Sequence, residues 1–353
     1  MKSIGIELQH LLLKNKKSYT KNTKPFNRDS ESLMTNLIRD DLKLVNNFMI
    51  TNIKSEVPLI PLLSEYLINS GGKRIRPALT ILFSKLFGYK YGSRHINLSA
   101  CIELIHMASL LHDDVVDESA MRRGAKTANK IWGNKASVLV GDYIFTKAFQ
   151  IMVADQDLKV LENLSNASKS LAQGEVMQLS LKNNLDIDSE KYFKVIEDKT
   201  AKLFSSSAVV GGIISKCSEE IIYKLDAFGK NIGIAFQLLD DALDYEYSHK
   251  NIGKNTGDDF KEGKVTLPLL LALRKSNVSE KLFWKKVIED LDQENNDFKY
   301  AQSLLIKYNC IVETKNIAKR YAKKAENILK KFPQNIYNDA LVELTKFVFT
   351  RSN

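Results

Sequence analysis

The segment LSACIELIHMASLLHDDVVDE, residues 98–118, is the most informative part of the sequence, because an apolar helical run leads directly into a block of carboxylates. Apolar side chains occupy most sides of the run, which predicts a central helix of a bundle. Asp113 and Asp117 are four residues apart, so they lie on one helix face, one turn apart. Two such carboxylates repel each other unless a cation neutralises them. Asp114 is rotated away from that face and is expected to support it.

The same spacing recurs in FQLLDDALDYEY, residues 236–247, at the end of a second apolar run that is predicted to be helical over 225–247. Asp240, Asp241 and Asp244 repeat the pattern of the first motif. Mg²⁺ prefers oxygen ligands and often binds through one or two carboxylates plus substrate phosphates. Two facing carboxylate rims therefore predict one mouth that holds several Mg²⁺ ions with a diphosphate between them.

Composition agrees with a large helical protein. The chain has 353 residues, of which 44% are hydrophobic, with six prolines and sixteen glycines, and strand patterns are hard to find. Residues 1–30 are polar and lysine-rich and are predicted to form a loose arm. Residues 31–353 are predicted to form a single all-α domain. No uninterrupted apolar run approaches the ~18 residues of a membrane span.

Charge and cysteine usage exclude other classes of protein. The net charge of +10 comes with basic runs that lack interleaved aromatics, which argues against a nucleic-acid partner. The three cysteines are widely spaced and predict neither a zinc site nor a disulfide framework. We expect a cytoplasmic protein, or alternatively one of the mitochondrial matrix, with a possible transient contact with a membrane surface.

Basic residues accompany both acidic motifs. GGKRIRP places Lys73, Arg74 and Arg76 after a Gly-Gly break, and Arg122 and Arg123 follow the first motif. Further lysines lie in DKTAKLF (residues 198–204) and GKNTGDDFKEGKVTLP (residues 253–268). Anionic oxygens need such donors, so the combination indicates a diphosphate site.

With these motifs in this order, the chain resembles the trans-prenyl diphosphate synthase (polyprenyl synthetase) family. It is most similar to the long-chain octaprenyl or decaprenyl type of quinone biosynthesis. The resemblance covers about residues 35–350 and rests on GGKRIRP, LLHDDVVDESAMRRG, GDYIF, DKTAKLF, FQLLDDALD and GKNTGDDFKEGKVTLP. It implies an isoprenoid-synthase helical bundle around a central cavity, normally a homodimer, with two or three Mg²⁺ ions in each active site.

The resemblance also implies the reaction and the role of each residue. Isopentenyl diphosphate adds repeatedly to an allylic diphosphate, farnesyl or geranylgeranyl, to give a long all-trans polyprenyl diphosphate. The implied metal ligands are Asp113, Asp117, Asp240 and Asp244. The implied catalytic groups are Asp113, Asp117, Asp240, Lys199, Thr200 and Gln237. Isopentenyl diphosphate is assigned to Lys73, Arg76, His106 and Arg123. The allylic diphosphate is assigned to Arg122, Lys199, Lys254 and Lys264, with Thr200 and Gln237 facing the allylic cation.

Product length is expected to depend on the residues one turn before Asp113. Ala108 and Ser109 are small, and in similar proteins bulky side chains there stop the product short, so a long product is expected. Phe145 and Phe149 are candidates for deeper positions of the same tunnel. A short-chain farnesyl or geranylgeranyl diphosphate synthase stays the alternative.

Three other functions remain open from the sequence. A class I terpene cyclase uses the same fold, but its second motif is normally mixed rather than all aspartate. A di-iron protein is suggested by two Glu-x-x-His pairs, Glu103/His106 and Glu246/His249. A non-catalytic subunit of a heteromeric synthase is disfavoured because both acidic motifs are present.

Overall fold

The computed structural model describes residues 33–246 and 256–350, and most of these residues lie in helices. The prediction of an all-α fold is therefore confirmed. The predicted arm, residues 1–30, lies outside the described residues.

The first half of the fold contains the helix that carries the first acidic motif. Its helices are α1 (Leu33–Leu37), α2 (Arg39–Asn52), α3 (Leu59–Asn69), α4 (Ile75–Leu86), α5 (Arg94–Val116), α6 (Ala128–Trp132), α7 (Asn134–Ala154) and α8 (Leu158–Ser180). Between α5 and α6 lies a β-hairpin, in which β1 (Met121–Arg122) pairs antiparallel with β2 (Ala125–Lys126).

The second half carries the second acidic motif. Its helices are α9 (Ser189–Ile196), a π-helical turn (Glu197–Ala201), α10 (Lys202–Ile214), α11 (Glu219–Asp244), α12 (Asp258–Lys261), α13 (Leu267–Lys275), α14 (Val278–Trp284), a second π-helical turn (Lys285–Glu289), α15 (Asp297–Lys307), α16 (Cys310–Leu329) and α17 (Ile336–Thr350).

Helices α5 and α11 are the two central elements, as the sequence predicts. Helix α5 runs for 23 residues without proline or glycine and is buried on most sides, from Ile96 to Leu111. It packs along α7, and α11 packs along α10 and α16. Each fully buried leucine or isoleucine contributes about 1.5–3 kcal/mol, so the apolar parts of these helices hold their polar ends in place.

Two glycines allow the first π-helical turn to pack closely between α8 and α11. A Cβ at Gly174 would lie 2.5 Å from the backbone nitrogen of Lys199, and one at Gly233 would lie 2.5 Å from the Cα of Ala201. No larger residue fits at either position without displacing backbone. The close approach brings Lys199 to the end of α8 and Thr200 to the side of α11.

Helix α7 is long and apolar enough to cross a membrane, judged by length and composition alone. Val140, Ile144 and Ala148 are buried within the bundle, whereas Leu139 and Val153 are exposed. The helix therefore combines a core face with an outer face that carries exposed apolar side chains among polar ones.

Candidate active site

The first aspartate motif lies at the C-terminal end of α5. The amide of Asp117 donates to the carbonyl oxygen of Asp113 at 2.8 Å, so the two carboxylates are stacked one turn apart as predicted. Burial raises the pKa of Asp113 to about 8, and the nearby Glu175 and Asp117 add to the rise, while Lys199 opposes it. This crowding of buried carboxylates favours the arrival of a cation.

The middle aspartate of the motif, Asp114, points into the protein and is 1% exposed. Both Nε and Nη2 of Arg122 donate to its Oδ1, at 2.9 and 2.8 Å. Burial raises the pKa of Asp114, although the bonds from Arg122 counter it. The family resemblance assigns Arg122 to the allylic diphosphate. In this structure its guanidinium forms an ion pair with Asp114.

The second motif ends α11. Asp244 accepts hydrogen bonds from the backbone N–H groups of Asp258 and Asp259, at 3.3 and 3.0 Å. Burial and the charge of Asp259 raise the pKa of Asp244 to about 8. The middle aspartate, Asp241, is again buried, and burial and the charge of Asp259 raise its pKa to about 7.

Lys264 connects the two motifs. Its Nζ lies 2.9 Å from Oδ2 of Asp117 and 2.7 Å from Oε2 of Glu262. Burial alone would raise the pKa of Asp117, but the ion pair with Lys264 outweighs it and holds this pKa below its ordinary value. Because the first amides of α12 donate to Asp244 and α12 leads directly to Lys264, one short segment reaches both motifs. The structure therefore places the two motifs at one end of the bundle.

A cluster of cationic side chains lies on the α4 side of the first motif. The Arg76 guanidinium stacks 4.5 Å from the ring of Phe204, and burial lowers its pKa to about 10, so it stays charged at neutral pH. Its buried Nε has no hydrogen-bond partner among the described residues. Burial and the charges of Arg76 and Arg123 hold the pKa of His106 far below its usual value, so its imidazole is neutral. An unpartnered donor beside a neutral imidazole suits an anionic ligand.

The Gly71-Gly72 break turns the chain into this cluster. Arg123 donates to the carbonyl oxygen of Gly71, and Lys73 places its ammonium 4.1 Å from the ring centre of Phe347. The charges of Arg76 and Arg123 both act on His106, so three of the four residues assigned to isopentenyl diphosphate lie close together.

Arg74, between Lys73 and Arg76, turns the other way. It adopts a left-handed backbone conformation with φ of 46°. Its guanidinium donates to Glu103 at 2.5 Å, to Asn46 at 3.2 Å and to the carbonyl oxygen of Ile68 at 2.9 Å. It therefore supports the turn and is committed to the protein.

Lys199 lies on the other side of the mouth. Its Nζ contacts Oε2 of Glu175 at 2.7 Å and Oε1 of Gln178 at 2.6 Å. Sequence reasoning missed both partners and also missed Asp259. The available signals were the i, i+3 spacing of Glu175 and Gln178 on α8 and the third acidic pair, Asp258 and Asp259.

Thr200 and Gln237 meet at the wall of a cavity of about 120 Å³. Thr200 Oγ1 donates to Gln237 Oε1 at 2.8 Å, and Gln237 Nε2 donates to Asp241 Oδ1 at 2.8 Å. The cavity is also lined by Lys199 and Lys264, and by apolar side chains that include Ile187, Val195, Ile196 and Val265. Charged groups and an apolar wall thus border the same space.

The two predicted chain-length residues lie on α5 above the motif. Ala108 is buried, and Ser109 is half-buried with its hydroxyl donating to the carbonyl oxygen of His106 at 2.9 Å. Phe145 and Phe149 stack edge to face with centroids 5.1 Å apart on α7, and Phe149 is exposed on its outer side.

Two predicted residues, Lys254 and His249, lie outside the described residues. Of the di-iron alternative, Glu103 is bonded to Arg74, and Glu246 pairs with Lys315 at 2.6 Å. Both glutamates are therefore engaged with cationic side chains.

Mg²⁺ fits the donor set of the mouth. Asp113, Asp117, Asp240 and Asp244 offer the carboxylate oxygens that this ion prefers. Among residues 33–246 and 256–350, no three carboxylate, imidazole or thiolate side chains converge to hold an ion by themselves. Water and phosphate oxygens of a substrate would complete the coordination.

Comparison with known proteins identifies the family. The polyprenyl synthetase model matches residues 57–305. The chain belongs to this family. It is 42% identical over 318 residues to the octaprenyl diphosphate synthase of Escherichia coli (strain K12), covering 89% of this chain and 97% of that protein. The polyprenyl synthetase resemblance of the motifs is thereby confirmed.

Two solved polyprenyl synthetases have the same fold. A decaprenyl diphosphate synthase from Rhodobacter capsulatus superposes with a TM-score of 0.87 at 42% identity, covering 91% of this chain and 98% of that chain. A polyprenyl synthase from Caulobacter crescentus CB15, complexed with calcium and isoprenyl diphosphate, gives 0.87 at 41% identity, covering 93% and 100%.

Proposed function

We propose that this polyprenyl synthetase adds isopentenyl diphosphate repeatedly to a farnesyl or geranylgeranyl diphosphate primer and releases a long all-trans product, of octaprenyl or similar length, for a quinone side chain. The observation that carries the proposal is the mouth itself. Two aspartate motifs meet at one end of the bundle, Lys264 connects them, and cationic groups flank them on both sides.

The residues divide into two diphosphate sites. Isopentenyl diphosphate binds to Arg76, His106, Arg123 and Lys73. One of its phosphate oxygens accepts a hydrogen bond from the unpartnered Nε of Arg76. Lys199 and Lys264, with Arg122 and Lys254, receive the allylic diphosphate. Mg²⁺, when bound by the aspartates, neutralises the negative charge that develops on the leaving diphosphate.

The wall of the cavity stabilises the allylic cation that forms during the reaction. Thr200 and Gln237 present oxygen atoms towards the allylic carbon as its bond to diphosphate breaks. The double bond of isopentenyl diphosphate attacks that carbon, and the proton lost afterwards goes to the released diphosphate. The adjoining apolar side chains exclude water from the cation, which favours condensation over hydrolysis.

The deciding experiment incubates the pure protein with Mg²⁺, labelled isopentenyl diphosphate and farnesyl diphosphate, followed by chain-length analysis. We expect a ladder that ends near eight isoprene units. Products of three or four units would replace the long-chain assignment by the short-chain one. Conversion of the allylic diphosphate to hydrocarbon without incorporation would indicate a cyclase.

The role of Ala108 is tested by a graded series, Ala108→Val, Ala108→Leu and Ala108→Phe. If the product passes this position, its length falls as the side chain grows. An unchanged length at good activity for the phenylalanine variant would show that the product takes another path.

A homodimer and a reducing compartment, cytoplasmic or mitochondrial, complete the proposal. Leu139 and Val153 on α7 and Val176 and Leu179 on α8 are exposed apolar side chains that a second copy would cover. Light scattering tests this: Leu139→Glu should yield monomer, whereas Val278→Glu, at a more exposed apolar site on α14, should not. The described cysteines are free thiols, as in a reducing compartment.

A further inference from the structure

A chain of three hydrogen bonds crosses from α9 to the π-helical turn along the cavity wall. The hydroxyl of Tyr192 donates to Oδ2 of Asp241. Oδ1 of Asp241 accepts from Nε2 of Gln237 at 2.8 Å, and Oε1 of Gln237 accepts from the hydroxyl of Thr200 at 2.8 Å. Tyr192, Asp241, Gln237 and Thr200 all line the same cavity.

The order of donors and acceptors in this chain is fixed from the Tyr192 end. Asp241 accepts one hydrogen at each carboxyl oxygen, from Tyr192 at Oδ2 and from Gln237 at Oδ1. The amide of Gln237 therefore turns its NH₂ group to Asp241 and its oxygen to Thr200. The hydroxyl hydrogen of Thr200 is then used by that oxygen, which leaves the lone pairs of Oγ1 for the cavity.

The side chain of Tyr192 is held in one orientation by its surroundings. Its side chain is 5% exposed, and its ring packs edge to face on Phe193 with centroids 5.4 Å apart. Burial and the charge of Asp241 hold the pKa of its phenol well above the ordinary value, so the hydroxyl stays a donor. A phenol in this position fixes the direction of its neighbours without changing their net charge.

We propose that Tyr192 is a positioning residue, whose hydroxyl acts through Asp241 to orient Gln237 and thereby aims the lone pairs of Thr200 at the allylic cation. This inference rests on the proposed function. Without the hydroxyl, Oδ2 of Asp241 loses its donor, so the carboxyl group can rotate, Oδ1 no longer holds Nε2 of Gln237 in one direction, and the amide can turn over. Thr200 would then present its hydrogen, rather than its lone pairs, to the developing positive charge.

The test is a double-mutant cycle on the full chain with Mg²⁺, isopentenyl diphosphate and farnesyl diphosphate. We expect Tyr192→Phe to lower kcat about tenfold, less than the 10²–10³ typical of removing a direct electrostatic contact. KM for both substrates should stay within about twofold, because the diphosphate-binding side chains are untouched. In a Thr200→Val background, the same Tyr192→Phe change should alter kcat by less than about twofold, since its effect runs through Thr200.

A merely structural role gives a different result. Loss of folded protein would reduce kcat by the same factor in both backgrounds, and that outcome overturns the proposal, as does a Tyr192→Phe protein with full kcat. Asp241→Asn is the second variant: an amide cannot accept from Tyr192 and Gln237 with both atoms, so the same loss and the same non-additivity are expected.

Tyr308 supplies the matched control. Its hydroxyl donates to Oε2 of the buried Glu280 at 2.7 Å, away from the cavity, so Tyr308→Phe removes an equivalent bond. Its kcat should stay within about twofold of the wild type. Wild-type turnover in the same assay separates the two proposals: its absence overturns both, whereas its presence with an additive cycle overturns only the role of Tyr192.

Discussion

The two aspartate motifs have the same spacing but different partners. In both, the middle aspartate turns inward, with Asp114 1% and Asp241 3% exposed. Asp114 accepts hydrogen bonds from a cation, Arg122, whereas Asp241 accepts them from two neutral donors, Tyr192 and Gln237.

The outer aspartates differ in the same sense. Asp117 is met by the ammonium of Lys264, whereas Asp244 accepts from two backbone N–H groups of α12. A cation neutralises the carboxylate that it contacts, whereas neutral donors hold a carboxylate in place without changing its charge. The first motif therefore has cationic partners that balance its charge, and the second is held by neutral donors.

The largest effect should be common to both motifs. Asp113→Asn and Asp240→Asn each remove a carboxylate that faces the mouth, so each should lower kcat/KM by at least about 1,000-fold. Each should also reduce the gain in melting temperature that Mg²⁺ with inorganic diphosphate gives the wild type. If one variant kept near-normal activity, the two motifs would not form one mouth.

Substitution of the middle aspartate should have a different effect in each motif. Asp114→Asn leaves Arg122 without its anion, so we expect the free energy of unfolding to fall by about 2 kcal/mol, an intermediate value because Arg122 is partly exposed. Asp241→Asn should instead appear mainly in kcat. Urea denaturation and steady-state kinetics on both variants measure this, and equal profiles for the two would contradict the distinction.

Lys264 tests the connection between the motifs. Lys264→Met leaves Asp117 and Glu262 without their shared cation, so the metal-free protein should lose about 2 kcal/mol of stability. Lys261→Met is the matched control on the same segment, because its pair with Asp258 spans 3.8 Å at the surface, and it should change stability by under about 0.5 kcal/mol. Similar losses from the two variants would show that Lys264 is not a structural bridge.

The smallest effect concerns Glu280, a buried carboxylate outside the mouth. Hydrogen bonds from Lys307, Tyr308 and the backbone of Asn277 lower its pKa from 4.5 to about 2. Because the pKa of Glu280 is lower in the folded protein than in the unfolded chain, its ionised carboxylate stabilises the fold at pH values above 4.5. This stabilisation disappears as the pH falls from 4.5 towards 2. The stability difference between wild type and Glu280→Gln should therefore shrink over that range in urea titrations. A difference that does not vary with pH would contradict the assignment.

The sequence predicted the elements that depend on local spacing. The apolar runs predicted α5 and α11 as central helices, and the i, i+4 aspartates predicted the carboxylate faces. The spacing also predicted that Asp114 would turn away from the mouth, because neighbouring helical residues point in different directions.

The missing parts are contacts between distant segments. Lys264 reaches Asp117 across 147 positions, and Tyr192 reaches Asp241 across 49. A tyrosine in an amphipathic helix carries no motif, so only tertiary packing assigns its partner. Arg122 reaches Asp114 because the chain reverses in the hairpin, where Arg123 has φ of 53°. The motif shows two adjacent arginines but not which of them turns inward.

The cap on Asp244 has a consequence for hydrogen exchange. The amides of Gly257, Asp258 and Asp259 donate in sequence to the carbonyl oxygen and the two carboxylate oxygens of this one residue, at 2.8, 3.3 and 3.0 Å. Three consecutive amide protons beside the mouth thus exchange with solvent only when the second motif releases them. Their deuterium uptake reports the state of that motif in an unmodified protein, residue by residue.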